Sequence, residues 1–270
     1  KKASLECSNV KRTWEQTKTN IIAQKMVSLS TSEGGISLEK YRVKNAPDVV
    51  YYIPDFVTEQ EGKYLLNQVY AAPKPKWTHL SNRRLQNWGG LPHPKGMIAE
   101  GLPMWLDVYA KKIAGLGVFG DHIPNHVLVN EYQPGQGIMP HEDGPLFHPV
   151  VTTISLGSHT FLDFYKRREE NDADSQPSLE EATSNKQGLS EPFLSLLLEP
   201  YSLLILQDSM YTGHLHGIAE RTADVTASTV ANLSATGYQV DQEIERTCRV
   251  SLTIRYFPKT LKLKLQFGKR

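Results

Sequence analysis

VLVNEYQPGQGIMPHEDG, residues 127–144, is the stretch on which the reading of this chain turns. Val127, Leu128 and Val129 begin a strand, Pro134 and Gly135 supply a turn, and His141-Glu142-Asp143 follows. On an extended backbone, side chains two residues apart point the same way. His141 and Asp143 therefore converge while Glu142 faces away, and Asn130 and Tyr132 share one face of the preceding strand. Alone, a His-x-Asp tripeptide is far more often a surface turn with a solvated carboxylate than a metal site. It gains meaning only if a distant imidazole joins it.

Working outward, Tyr211-Thr212-Gly213-His214-Leu215-His216-Gly217-Ile218 offers that imidazole. It follows the apolar strand Ser202–Leu206, so a turn can bring His216, with His214 competing, beside the first pair. Two histidines and one carboxylate hold one face of an octahedral ion and leave three positions open, as in non-haem Fe(II) oxygenases. A bidentate 2-oxo acid and O2 fill three positions, which favours oxidation over hydrolysis. A 2-oxo diacid also needs a cation for its far carboxylate, and the arginine fork suits one. Arg249-Val250-Ser251-Leu252-Thr253-Ile254-Arg255-Tyr256 alternates a polar face (Arg, Ser, Thr, Arg) with an apolar one. The polar face either meets water or lines the interior of a barrel. Its arginines lie about 20 Å apart at about 3.3 Å per residue, so both reach one small ligand only by folding inward from either side.

The remaining chain supplies a scaffold. Val49–Pro54 reads as a strand, and Thr58-Glu59-Gln60-Glu61 is a capping box opening a helix that Pro73 stops. A second amphipathic helix starts near Pro103 and carries Trp105, Leu106, Tyr109 and Ile113. Residues 73–100 read as a long loop mixing Lys74, Lys76, Arg83, Arg84 and Lys95 with Trp77 and Trp88. Such a loop is either anchored to the core by its tryptophans or offers cations for phosphates and flat rings for bases. Short strands follow at Val150–Leu156, Thr160–Tyr165, Ser195–Leu198 and Ser202–Leu206, which suggests a sandwich or barrel. Residues 166–192 and 222–246 read as polar insertions, the first disordered and the second with room for partial order. Residues 1–40 read as a disordered extension, with Met26 a candidate start, and 41–270 as one domain. The tail LKLKLQFGKR reads as a Lys-protected edge strand.

Composition sets the bounds. With 30 Lys+Arg against 29 Asp+Glu, the net charge of +1 excludes a global polyanion-binding field, so any nucleic-acid affinity must be local. Cys7 and Cys248 are too few for a disulfide framework and fit a reducing compartment, cytoplasm or nucleus. No apolar run approaches a membrane span, so no membrane is expected.

Asn130-x-Tyr132, His141-x-Asp143, His216-x-Ile218 and Arg249 with Arg255 six residues on resemble the motif series of the AlkB-like Fe(II)/2-oxoglutarate dioxygenases. Ile154-Ser155-Leu156-Gly157 sits where that family has a strand bordering the cofactor. The wording YYIPDF, APKPKW, LQNWGGLPHP, MPHEDGPL and ISLGSHT is similar to the AlkB homologue 6 branch, and the resemblance spans residues 48–265. It implies a mainly β fold, a double-stranded β-helix (jelly roll) with N-terminal helices packed outside. It implies His141, Asp143 and His216 as Fe(II) ligands, and Asn130, Tyr132, Arg249 and Arg255 as 2-oxoglutarate contacts with Ser251 beside them. Several relatives carry Asn where this chain has Ser251. The family's nucleotide-recognition lid falls on 73–100, which gives Trp77 or Trp88 to base stacking and Arg83 and Arg84 to phosphates. The implied reaction is oxidative demethylation of RNA or DNA on a single-stranded or flipped base; separately, a monomer is expected. A protein side-chain hydroxylase and a nucleic-acid binder with a weakly active site are the alternatives.

Overall fold

The structure, a computed structural model of the chain, describes residues 37–167 and 191–261. In chain order the elements are β1 (Val50–Ile53), α1 (Glu59–Ala71), β2 (Thr78–Leu80), β3 (Arg83–Trp88), β4 (Met97–Ile98) and α2 (Met104–Ala114). Then come β5 (His126–Tyr132), β6 (Ile138–His141), β7 (Val150–Leu156), β8 (Thr160–Lys166), β9 (Leu194–Leu198) and β10 (Leu203–Gln207). The last are α3 (Ser209–Thr212), β11 (His214–Ile218), β12 (Ala223–Val225), β13 (Glu243–Glu245), β14 (Arg249–Arg255) and β15 (Thr260–Leu261).

Two antiparallel sheets carry the molecule. The larger has seven strands in the order β1-β10-β7-β14-β5-β3-β2, and the smaller has four in the order β6-β11-β8-β9. Most neighbours in the sheets (β1–β10, β7–β14 and β5–β14 in the large one, β6–β11 and β8–β11 in the small one) are not consecutive in sequence, the crossed connectivity of the expected jelly roll.

Strand alternation sorts side chains into two cores. Val127 and Val129 of β5 and Val250, Leu252 and Ile254 of β14 face outward. There they pack under Leu65 and Val69 of α1 and Trp105, Leu106, Tyr109 and Ile113 of α2. Each such side chain removed from water contributes about 1.5–3 kcal/mol, so the flanking helices are held by the sheet rather than by their own propensity. The opposite faces enclose the second core, with Tyr132, Val151, Leu162, Phe164, Leu204, Leu206 and Ile218 between the sheets. The polar face of β14 lies inside, not in bulk water.

The capping box forms as read: Glu61 N–H donates to Thr58 Oγ1 at 3.2 Å and Thr58 N–H to Glu61 Oε2 at 2.7 Å. Glu61 does more than cap. It is buried, accepts from Tyr109 Oη at 3.4 Å, and lies 3.8 Å from the buried Lys112 Nζ, tying α1 to α2.

Three expectations change. Residues 73–100 are not one long loop, because β2 and β3 form a hairpin that extends the large sheet through the β3–β5 pairing. The 222–246 segment is ordered: β12 pairs with β13, and Val230, Leu233, Tyr238 and Ile244 pack on Phe161 and Leu197. Arg246 fixes it by pairing bidentately with Asp224, which also faces His159 at 3.2 Å. Its scattered apolar residues cover the outer face of the small sheet, which the polar composition concealed. Order also begins earlier than read, with a 3-10 turn at Leu38–Tyr41 and a bridge from Arg42 to Tyr51. The expectations for residues 1–36, most of 166–192, and the tail from 262 onward lie outside the described residues.

Candidate active site

Between the sheets lies a cavity of about 260 Å³. Four inward residues of β14 (Arg249, Ser251, Thr253, Arg255) line it, with Asn130 and Tyr132 of β5, His141 and Asp143, and His216 of β11. Register explains the convergence. In the small sheet His216 stands opposite His141. In the large sheet Arg249 stands opposite Tyr132 and Ser251 opposite Asn130.

The metal trio assembles from two distant segments. The His141 and His216 rings are 4.6 Å apart, centre to centre, and His216 Nε2 is 4.0 Å from Asp143 Oδ2. His141 Nδ1 faces the Met139 carbonyl at 2.9 Å. A carbonyl only accepts, so Nδ1 carries the proton and Nε2 keeps a lone pair for a metal. Burial lowers the pKa of His216 to about 4 despite the Asp143 charge, so its ring is neutral near pH 7. His214 is excluded: its Nδ1 faces the Ser209 carbonyl at 2.9 Å and its ring packs on Phe193.

Burial opposes the charge on Asp143, yet Arg255, with His216 and His141 behind it, holds the carboxyl below the ordinary range. Arg255 Nη1 donates to Asp143 Oδ1, and its guanidinium lies 3.9 Å from the Phe147 ring centre. The trio is gathered rather than closed: among the described residues, no His, Cys, Asp or Glu trio is drawn in far enough to enclose an ion. Arg255 holds one Asp143 oxygen instead. The donor set itself, two imidazoles on facing strands and a carboxylate two residues past the end of one of them, is that of a non-haem Fe(II) centre.

At the far end of β14, Arg249 is the strongest sign of a ligand. It is buried, and burial pulls its pKa down to about 10. Its Nη2 donates to Ser155 Oγ at 3.0 Å, its Nε has no partner, and no acid pairs with it among the described residues. A buried cation without a counter-ion costs several kcal/mol, so the fold holds a place for an anion. The two arginines line one cavity from opposite ends of β14, Arg255 engaged by Asp143 and Arg249 without an acid among the described residues. Ser251 is buried in the same wall.

The surface guesses fare differently. Arg84 forks onto Glu131 (2.7 and 2.8 Å) and lies over the Trp77 ring. Trp88 packs edge-on against Trp105 and donates to Gln86 at 2.9 Å. All three thus have internal partners, which the anchored-loop reading of this segment described. Arg83 points into the cavity instead. Sequence reading missed Ser155 as the partner of Arg249, although Ile154-Ser155-Leu156-Gly157 marked its strand. It also missed His126, opposite Arg255, whose two ring nitrogens are buried without partners.

Comparisons with known proteins agree with this geometry. The 2OG-Fe(II) oxygenase superfamily matches residues 74–255. The chain is 57% identical over 235 residues to the Danio rerio protein named "Probable RNA/DNA demethylase ALKBH6", covering 87% of this chain and 97% of that one. It is 27% identical over 225 residues to "Uncharacterized protein L905" of Acanthamoeba polyphaga mimivirus, covering 80% and 90% respectively. Among solved structures, "The structure of OsALKBH1" aligns at TM-score 0.47 and 12% identity over 77% of this chain and 96% of that one. The buried arginine that awaits an acid and the histidines that face each other across the small sheet thus belong to a dioxygenase using Fe(II), 2-oxoglutarate and O2, and the chain is a member of the 2OG-Fe(II) oxygenase superfamily, in its AlkB homologue 6 branch.

Proposed function

We propose that this dioxygenase removes N-methyl groups from bases in RNA or DNA, with His141, Asp143 and His216 holding the iron. One observation carries the chemistry: Arg249, buried and without an acid, shares a cavity with the His141/Asp143/His216 trio. The substrate class is supported by the 57% identity to a relative named a probable RNA/DNA demethylase.

Bound Fe(II) with 2-oxoglutarate and O2 supplies the hydroxylation of a methyl group, leaving succinate and CO2, after which the hydroxylated substrate sheds formaldehyde. The protein's own residues position and insulate. Arg249 grips the far carboxylate of 2-oxoglutarate, with Ser155 fixing its fork. Arg255 keeps Asp143 ionised and oriented. His141 is held in its ligating tautomer by the Met139 carbonyl. Leu128, Ile138, Leu162, Leu204 and Leu206 supply an apolar lining that excludes bulk water. A base inside a duplex cannot enter such a cavity, so a single-stranded or flipped base is the form accepted.

A monomer in the cytoplasm and nucleus is the companion proposal. The cavity is lined within one chain, and Cys248 is a free thiol. Among the described residues no helix is long and apolar enough to cross a membrane.

The test is mass spectrometry of N-methylated RNA and DNA oligonucleotides after incubation with Fe(II) and 2-oxoglutarate. Loss of a methyl mass matched by succinate is expected, and His216→Ala should abolish both. Succinate release that methylated peptides raise and no oligonucleotide raises would transfer the activity to protein substrates.

A further inference from the structure

Arg83 and Arg84 are consecutive on β3, so their side chains leave the sheet on opposite faces. Arg84 turns outward to Glu131, its register partner. Arg83 turns inward, lines the cavity, and has no acidic partner among the described residues. Its Nε donates to Asn130 Oδ1 at 3.3 Å.

That single bond has a chemical consequence. A guanidinium has donors only, so it accepts just one orientation of the Asn130 amide, oxygen toward Arg83. The Nδ2 group is then the free end, with no hydrogen bond to any described residue on a side chain that is buried and lines the cavity. Asn130 stands opposite Ser251, two residues from Arg249 along β14. Tyr132, opposite Arg249, feels both guanidiniums: burial raises its pKa while Arg249 and Arg83 pull it back. The cavity end that holds the uncompensated Arg249 therefore has a second cation and an amide locked as a donor.

We propose that Arg83 is a positioning residue for the co-substrate, orienting the Asn130 amide toward the distal carboxylate of the 2-oxo acid. With Arg249 it sets the preference for a dianionic over a monoanionic acid. This rests on the co-substrate reading of the cavity. It gives the β2–β3 hairpin, an edge addition to the large sheet, a role inside the pocket rather than on a nucleic-acid backbone.

The test is calorimetric titration of the Mn(II)-loaded full chain with 2-oxoglutarate and with 2-oxopentanoate, which has a methyl in place of the distal carboxylate. Wild type should prefer the diacid. Arg83→Ala should weaken 2-oxoglutarate binding about 10-fold, the scale of one charge-assisted hydrogen bond, and leave 2-oxopentanoate unchanged. In turnover, its KM for 2-oxoglutarate should rise with kcat held within about 2-fold. Arg83→Lys, which keeps the charge, should recover part of the preference. Equal weakening for both acids would make Arg83 merely structural and overturn the proposal. So would an unchanged diacid preference with weakened oligonucleotide binding, which would return Arg83 to the nucleic acid. A wild-type protein with no diacid preference sinks the co-substrate reading itself, and the two failures are thereby told apart.

Discussion

Arg249 shows how a residue disfavoured by folding is explained by a ligand. Replacing a buried ion with an apolar side chain of similar volume is commonly neutral or stabilising. Arg249→Met should therefore melt at or above the wild-type temperature without 2-oxoglutarate, yet bind 2-oxoglutarate roughly 100-fold more weakly, from the loss of a bidentate charged pair. Thermal melts and ligand titration check the two signs separately. His126 is the complementary case. Burial, reinforced by the neighbouring Arg255, lowers its pKa to about 3, while in the unfolded chain the imidazole titrates near its ordinary 6.5. The fold holds the ring neutral, so its contribution is whole above pH 6.5 and is lost as pH falls from there toward 3. The loss reaches on the order of 4 kcal/mol. Urea unfolding between pH 7 and 4 should show this slope in wild type and a shallower one in His126→Leu. Of these residues, the sequence made Arg249 legible through its alternating strand. His126 was not, because a histidine beginning an apolar strand has no pattern that separates core from site.

At the scale of elements, the metal trio depends on how closely β6 approaches β11. Register shifts between the pairs His216/His141 and Ile218/Ile138, so β6 carries an extra residue where Pro140, lacking an N–H, breaks the ladder. Gly217 permits the approach: a Cβ there would stand 2.9 Å from Pro140 N and 3.0 Å from Ile138 O. Those are backbone atoms, so the strand must move. Gly217→Ala is expected to part His141 from His216 and lower divalent-metal affinity at least 10-fold, while overall stability changes by about 1–3 kcal/mol. Equilibrium dialysis alongside a denaturant melt would show whether affinity falls out of proportion to stability. The sequence announced strands and helices well where periodicity and caps were strong, as at Thr58–Glu61, β7 and β14. It misjudged β2–β3 and the 222–246 cover. Their arginines and polar residues resemble loop composition, and what orders them is contact with the rest of the fold: β3 pairs with β5, and the 222–246 cover packs on Phe161 and Leu197.

The whole molecule is a two-sheet clamp around a polar cavity. A ligand that binds only the folded state stabilises it by mass action, about 2.7 kcal/mol at a hundred times its Kd. For a domain of this size that corresponds to a rise in Tm of roughly 5–10 °C. Metal with 2-oxoglutarate should give that rise in wild type, whereas Arg249→Met should give little, and differential scanning calorimetry reads both. A ligand effect of equal size in the variant would mean that the diacid sits elsewhere.

The sequence by itself determined the donor types, their order along the chain and the alternation that gives β14 one polar and one apolar face, because these are properties of neighbouring residues. It left open whether that polar face met water, whether His214 or His216 joined the trio, and what the β3 arginines contact. Those choices belong to the tertiary structure. Only the packing of the small sheet over the large one turns the polar face of β14 into a cavity wall. Only cross-strand register, set between segments about seventy-five residues apart, brings His216 rather than His214 opposite His141.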